Sequence, residues 1–65
     1  MTLSLPSGKS INLATVTWAE RKTWTETPHA GERYTHDGVV VHFVGGTQIR
    51  LTGTDAMKVA QEFGL

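Results

Sequence analysis

The sequence contains no cysteine, so neither a disulfide framework nor a thiolate metal site supports its fold. It has no apolar run of the roughly 18 residues that a membrane-spanning helix needs. No basic segment followed by an apolar stretch, the mark of a signal peptide, stands near its beginning. Its six basic and six acidic residues balance, which leaves no excess charge to attract nucleic acid or a membrane. These absences predict a cytoplasmic protein that folds through its apolar side chains alone.

The small size of the chain limits how much core it can form. A domain of 65 residues buries only about 60% of the surface that its unfolded form exposes, and its stability is therefore marginal. We expect one domain over residues 1–65. Pairing with a second copy is a common remedy for so small a core.

Residues 2–14 predict a β-hairpin. Leu3 and Leu5 alternate with polar residues before the turn Pro6-Ser7-Gly8, and the alternation resumes at Ile11. A three-residue loop at this turn puts Leu3 opposite Ile11. Residues that face each other across a hairpin share one side of it, so the apolar side chains then lie together.

Residues 39–52 predict a second hairpin, whose register depends on its glycine turn. A two-residue loop pairs His42 with Ile49 and buries the imidazole among apolar side chains. A three-residue loop with Gly46 in the left-handed conformation buries Phe43 instead and turns His42 toward solvent. We predict the second register, because it buries more carbon and no imidazole.

The stretch between the hairpins predicts a long strand and a long loop. The strand covers about 16–26, and even spacing places Trp18 and Trp24 on the same face. The charged run at 20–22 indicates a solvated edge or a bulge. Glycine and proline over 27–38 indicate a mobile loop, and loops of that length are often functional in a small domain.

Residues 54–63 predict one helix. Thr54 is the expected N-cap, Asp55 supplies an acid in the first turn, and Gly64 stands where a helix ends. Apolar residues follow helical spacing at Ala56, Val59, Ala60 and Phe63. The predicted fold is therefore α+β: a small twisted antiparallel sheet of about four strands, with the C-terminal helix packed on one face.

This order of two hairpins and a terminal helix resembles the small bacterial flagellar FlbD-type proteins. The residues that carry the resemblance are Leu5 to Lys9, Ile11 to Leu13, Val39 to Leu51 and the terminal helix. The order is also similar to the opening of LytTR-type DNA-binding domains. The resemblance implies the α+β fold and a bacterial origin. It transfers no functional residue, because the long loop and the two tryptophans depart from the family pattern.

Several side chains have the chemistry of metal ligands. His29, His36 and His42, with Glu32 and Asp37, are of the types that bind zinc or related ions. Their spacing lacks the i, i+3 or i+4 pairing of helical sites, and the adjacent His36 and Asp37 point apart in a strand. We interpret them as solvated polar residues and predict no metal site.

Nothing in the sequence predicts catalysis. His36 and Asp37 could be combined with a nearby threonine or serine, but no nucleophile elbow, phosphate loop or paired-carboxylate cleft is present. A domain of this size also has little volume for a substrate pocket. We therefore predict no enzyme activity, no cofactor and no small-molecule substrate.

The strongest functional prediction is a protein-contact surface. Exposed apolar and aromatic side chains on a small sheet often mark an interface with another protein or a second copy. The candidate surface consists of Trp18, Arg21, Lys22, Trp24, Val40, His42 and Val44. The alternative is a single-stranded nucleic-acid binder whose bases stack on Trp18 and Trp24, against which stand the interleaved acids Glu20 and Glu26.

Overall fold

The computed structural model describes the whole chain from Met1 to Leu65. Its elements are β1 (Thr2–Ser4), β2 (Ser10–Asn12), a 3₁₀ helix (Leu13–Thr15), β3 (Val16–Glu26), β4 (Tyr34–Phe43), β5 (Gln48–Thr52) and α1 (Gly53–Phe63). All strand pairs are antiparallel. The predicted α+β class is confirmed, but the strands form two sheets, β1-β2 and β3-β4-β5, rather than one.

The 3₁₀ helix separates the two sheets. The Asn12 side chain accepts a hydrogen bond from the Ala14 N–H at 3.1 Å, and the Thr15 hydroxyl donates to the Asn12 carbonyl at 2.8 Å. These local bonds compete with strand pairing, as Asn and Thr side chains commonly do. Strand β2 therefore ends at Asn12, earlier than the predicted hairpin end at residue 14.

The register predicted for the first hairpin is confirmed. Leu3 lies opposite Ile11, and the Leu5 N–H donates to the Lys9 carbonyl at 2.8 Å. Gly8 closes the turn at φ 95°, a left-handed conformation that a side chain disfavours. The odd loop length is what places the apolar residues of both short strands on one face.

The register predicted for the second hairpin is confirmed as well. The Phe43 N–H donates to the Thr47 carbonyl at 2.9 Å, which leaves a three-residue loop, and Gly46 has φ 89°. His42 consequently lies opposite Gln48, away from the core, while Phe43 packs against the core.

The β3–β4 hairpin is longer than the sequence predicts. Its ladder extends to the pair Glu26–Tyr34, so the connecting loop covers 27–33 and the prediction of a loop over 27–38 is wrong. Gly38, the last residue of the predicted loop, lies inside β4. A Cβ atom there would stand 2.0 Å from the Leu51 carbonyl oxygen, so the glycine marks a close backbone approach within the sheet.

The core lies on one face of the three-stranded sheet, which we call the inner face. Helix α1 packs against β4 and β5, and the β1-β2 hairpin supplies the rest of the cover. The buried core residues are Leu3, Leu5, Ile11, Val39, Val41, Leu51, Ala56, Val59 and Ala60. Ile49 alternates with Gln48 and Arg50 onto this inner face but stays 37% exposed near the start of β5.

The termini of α1 differ in how well the sequence predicts them. Gly64 adopts the left-handed conformation at φ 69° and ends the helix as predicted. The helix begins at Gly53 with Thr52 as N-cap, so the prediction of Thr54 as N-cap is wrong. The first turn is held by another contact: buried Asp55 accepts hydrogen bonds from the Ser7 N–H, at 3.0 Å, and from the Ser7 hydroxyl.

Asp55 thereby joins the turn of the first hairpin to the start of the helix.

None of the helices in the protein has the length and apolarity that crossing a membrane requires.

Candidate interaction face

The outer face of the three-stranded sheet carries most of the predicted surface residues. Residues directly opposite each other in an antiparallel ladder share a face, so the pairs Trp18–His42, Glu20–Val40 and Trp24–His36 all lie on the same side of the sheet. Arg50 of β5 joins them opposite Val40. We call this surface the tryptophan face; it consists of Trp18, Glu20, Lys22, Trp24, Glu26, His36, Gly38, Val40, His42 and Arg50.

One end of the tryptophan face is a stacked cluster of three side chains. The rings of Trp18 and His42 are parallel to within 2°, with centroids 3.8 Å apart. His42 Nε2 lies 2.7 Å from Glu20 Oε2. This is hydrogen-bond distance, and the contact ties the imidazole ring to the Glu20 carboxyl group. The cluster holds the indole ring in a fixed orientation while 52% of Trp18 stays exposed.

The other end repeats the same arrangement more loosely. The rings of Trp24 and His36 are tilted by 32° at a centroid distance of 5.8 Å, and His36 Nε2 lies 3.5 Å from Glu26 Oε2. The Arg50 guanidinium lies 5.4 Å from the centre of the Trp24 ring, within the range of a cation–π interaction. Each end thus combines a tryptophan, the histidine opposite it and the glutamate two residues farther along β3.

The middle of the tryptophan face is a small apolar patch under larger side chains. Val40 lies on this face as predicted but is only 1% exposed, so the expectation that it stays open to a partner is wrong. The long side chains of its neighbours Glu20 and Arg50 flank it, with a tryptophan cluster at each end. At Gly38 the Trp24 ring comes so close that a Cβ atom would lie 2.8 Å from it.

Two of the predicted surface residues lie elsewhere. Arg21 alternates onto the inner face, where its guanidinium donates to the Leu65 carbonyl at 2.8 Å. Val44 is exposed in the β4–β5 turn. Arg21 shares a strand with Lys22 and both tryptophans, but period-2 alternation places it on the other face, so the prediction that it joins their surface is wrong.

The acidic and histidine members of this face were not predicted as a group. Their signal is an equal spacing: Thr17-Trp18-Ala19-Glu20 recurs as Thr23-Trp24-Thr25-Glu26, six residues later, and His36 precedes His42 by the same interval. In an antiparallel pair, equal even spacing on both strands brings matching residues together at both ends. The sequence alone does not show which histidine meets which tryptophan until the ladder is known.

The residues weighed as metal ligands are dispersed. No group of three or more histidine, aspartate or glutamate side chains is placed to hold a metal ion. His36 contacts Glu26 on the tryptophan face, whereas Asp37 accepts a hydrogen bond from the Thr23 hydroxyl at 2.7 Å on the opposite face.

The tryptophan face ends at a free sheet edge. Strand β3 is eleven residues long and pairs with β4 on one side only. A groove of about 360 Å³ adjoins this edge beside Trp18; it is lined by Leu13, Val16, Thr17, Trp18, Ala19, Phe63 and Leu65. An exposed edge of this length is a ready template for pairing with another strand.

The fold and this face together describe a small α+β protein with an aromatic outer sheet surface. Comparison with protein-family models, curated proteins and solved structures finds no match to the chain.

Proposed function

We propose that this chain is a small, non-catalytic interaction or assembly module of a bacterial cytoplasm, with the tryptophan face and the adjoining edge of β3 as its contact surface. The observation that carries the proposal is the half-exposed Trp18 ring, held flat against His42. Tryptophan is among the residues that contribute most to protein–protein binding when a partner covers it. The exposed part of this ordered ring is apolar area that a partner can cover.

The fixed geometry of the face also supports this role. Trp18 is oriented by the His42 ring, which Glu20 holds in turn, so the indole loses little conformational freedom when a partner binds. The unpaired edge of β3 offers backbone donors and acceptors beside the same rings. A partner strand could therefore gain main-chain hydrogen bonds and aromatic contacts together.

In-cell cross-linking of the tagged full chain tests the proposal. Trp18→Ala removes the exposed ring, and Met57→Ala is the matched control, because Met57 is 71% exposed on the helix that covers the opposite face of the sheet. We expect the cross-linked species of the unaltered chain to persist with Met57→Ala and to disappear with Trp18→Ala. Cross-linked species that persist equally in both variants would contradict the proposed surface.

A second candidate function follows from the cations on the same face. Trp18 and Trp24 share it with Lys22 and Arg50, and bases of single-stranded nucleic acid stack on such rings. This function predicts a change in tryptophan fluorescence when an oligothymidylate is added, and a weaker change as salt is raised. An unchanged spectrum at low salt removes this candidate and leaves the protein-contact proposal intact.

A further inference from the structure

The free edge of β3 has the geometry needed to accept another strand. In β4, the backbone of Phe43 bonds to β5, so by alternation the backbones of His42, Val40 and the other even-numbered residues bond to β3. The backbone N–H and C=O groups of the even-numbered residues of β3 therefore bond to β4. The backbone N–H and C=O groups of the odd-numbered ones point away from the sheet; these residues are Ala19, Arg21, Thr23 and Thr25.

The side chains along this edge follow a pattern that is symmetric about one residue, except that an acid on one side corresponds to a base on the other. The segment reads Trp-Ala-Glu-Arg-Lys-Thr-Trp from Trp18 to Trp24, and Arg21 is its centre. Moving outward from Arg21 in both directions gives Glu20 and Lys22, then two small residues, then the two tryptophans. If a second β3 strand pairs antiparallel with the first about a two-fold axis at Arg21, the acid of each strand lies opposite the base of the other. Each tryptophan likewise lies opposite a tryptophan.

From this symmetry we propose that a second copy of this chain pairs with the first through β3, antiparallel, with Arg21 of each copy at the two-fold axis. This inference rests on the proposed function and names the partner of the same surface. The product is one continuous sheet with three strands from each copy, in which both tryptophan faces lie on the same side. Glu20 of each copy faces Lys22 of the other, and Trp18 of each faces Trp24 of the other.

The charges select this register over its neighbours. An axis at Lys22 opposes the two Lys22 side chains and puts Glu20 against Trp24, while an axis at Thr23 opposes Glu20 with Glu26. Like charges directly opposite each other destabilise a strand pair. The axis at Arg21 puts Glu20 of each copy opposite Lys22 of the other. It also joins two residues whose backbones point outward, so that they can exchange both hydrogen bonds.

The groups needed for these contacts are free within one copy. Lys22 has no ion-pair partner in the chain, and Glu20 uses Oε2 for His42, which leaves Oε1 for a lysine. The two Arg21 residues are the one like-charge pair of this register, opposite each other at the axis. They lie on the inner face, where each guanidinium donates to the Leu65 carbonyl, whereas the two Glu20–Lys22 pairs lie on the tryptophan face. The charged edge thus disfavours unrelated strands and accepts its own copy.

Analytical ultracentrifugation of charge-reversed variants tests this pairing. Glu20→Lys makes positions 20 and 22 both positive, and Lys22→Glu makes them both negative, so each variant alone opposes like charges twice across the axis. We expect the unaltered chain to shift from monomer to dimer over about a hundredfold range of concentration, and each variant to dimerise at least about tenfold more weakly. An equal mixture of the two variants restores both opposite-charge pairs and should dimerise as the unaltered chain does.

The controls separate the outcomes. Lys22→Glu removes no side-chain hydrogen bond or ion pair within the chain, and its circular dichroism should be unchanged. It therefore carries the test by itself if Glu20→Lys fails to fold. An unaltered chain that stays monomeric, or dimers that persist in Lys22→Glu, would overturn the pairing. The proposed function has its own test. If the chain is monomeric but Trp18→Ala abolishes cross-links to another protein, the proposed function stands without the pairing. If Trp18→Ala changes no cross-link, the proposed function is contradicted.

Discussion

The two faces of the three-stranded sheet are covered in different ways. On the inner face, Val39, Val41 and Leu51 lie under a helix and a second hairpin, whose own apolar side chains complete the core. On the outer face, Val40 is buried just as fully, yet no further layer of secondary structure lies above it. Its cover consists of side chains from the same sheet. Equal burial therefore arises from a packed layer on one side and from long polar and aromatic side chains on the other.

Because of this difference, the two faces should contribute differently to the stability of the fold and to the binding of a partner. In a close-packed core, the neighbours of a deleted methyl group are held from all sides and cannot fill the gap. The deletion therefore lowers the free energy of unfolding. Side chains that cover a sheet from its solvent side have fewer neighbours and can settle into a gap. We therefore expect the inner face to determine whether the chain folds and the tryptophan face to determine what it binds.

Gly38 lies on the tryptophan face in the central strand β4, and its replacement should have the largest effect. In Gly38→Ala the new Cβ would meet both the Leu51 carbonyl oxygen and the Trp24 ring. We expect a loss of more than about 3 kcal/mol in the free energy of unfolding, because backbone in the central strand has to move. Urea denaturation followed by circular dichroism measures it.

Gly45→Ala is the control for that substitution. Gly45 has φ 94° with nothing within 4 Å of the added carbon, so only the left-handed backbone is strained and the cost should be about 1 kcal/mol. Equal losses for the two alanine variants would show that the close approach at Gly38 is not a constraint.

Val41→Ala and Val40→Ala compare the faces directly. These neighbours in β4 are 0% and 1% exposed and lose the same two methyl groups. We expect about 2–3 kcal/mol for Val41→Ala, which leaves a cavity in the core, and about 1 kcal/mol for Val40→Ala, whose cover can relax. The ratio of the two losses in urea denaturation is the informative quantity. A loss at Val40 equal to that at Val41 would mean that the outer cover is packed as firmly as the core.

Asp55→Ala tests the polar contact that holds the inner cover together. The substitution removes the acceptor of both Ser7 hydrogen bonds at a buried position, and we expect a loss of about 2 kcal/mol. Ser7→Ala keeps the backbone donor and should lose less. Thermal unfolding of both variants gives the comparison, and a stability of Asp55→Ala within about 0.5 kcal/mol of the unaltered chain would contradict the role assigned to this bond.

The smallest expected effect is that of His42→Ala on the outer face. It removes the ring stacked on Trp18 and the contact with Glu20, and we expect a loss of about 1 kcal/mol together with a changed near-ultraviolet dichroism of the indole. His29→Ala, in the exposed loop, is the control and should change neither. Identical spectra for the two variants would show that the stack does not persist in solution.

The sequence predicted those features that depend on local turn chemistry. Loop lengths at Gly8 and Gly46 set both hairpin registers, and alternation then assigned His42 to the outer face, as the structure confirms. Alternation assigns a side chain to a face but says nothing of what lies above it, which is why the burial of Val40 was not predicted.

Other features depend on contacts between distant segments. Gly38 lies in a strand because Leu51 and Trp24 approach it, and Asp55 is buried because Ser7 reaches it across 48 positions of sequence. Neither partner can be identified from a local pattern. The same holds for His36 and His42. Their spacing is visible in the sequence, but their position opposite the tryptophans follows only from the β3–β4 ladder.

Amide hydrogen exchange along β3, measured by NMR at low and high protein concentration, tests most directly whether this strand is the contact edge. We expect the amides of Trp18, Glu20, Lys22 and Trp24, which face β4, to be protected at every concentration. Those of Ala19, Arg21, Thr23 and Thr25 should exchange rapidly in the dilute protein and become protected in the concentrated protein. Rapid exchange of the second group at all concentrations would contradict the account.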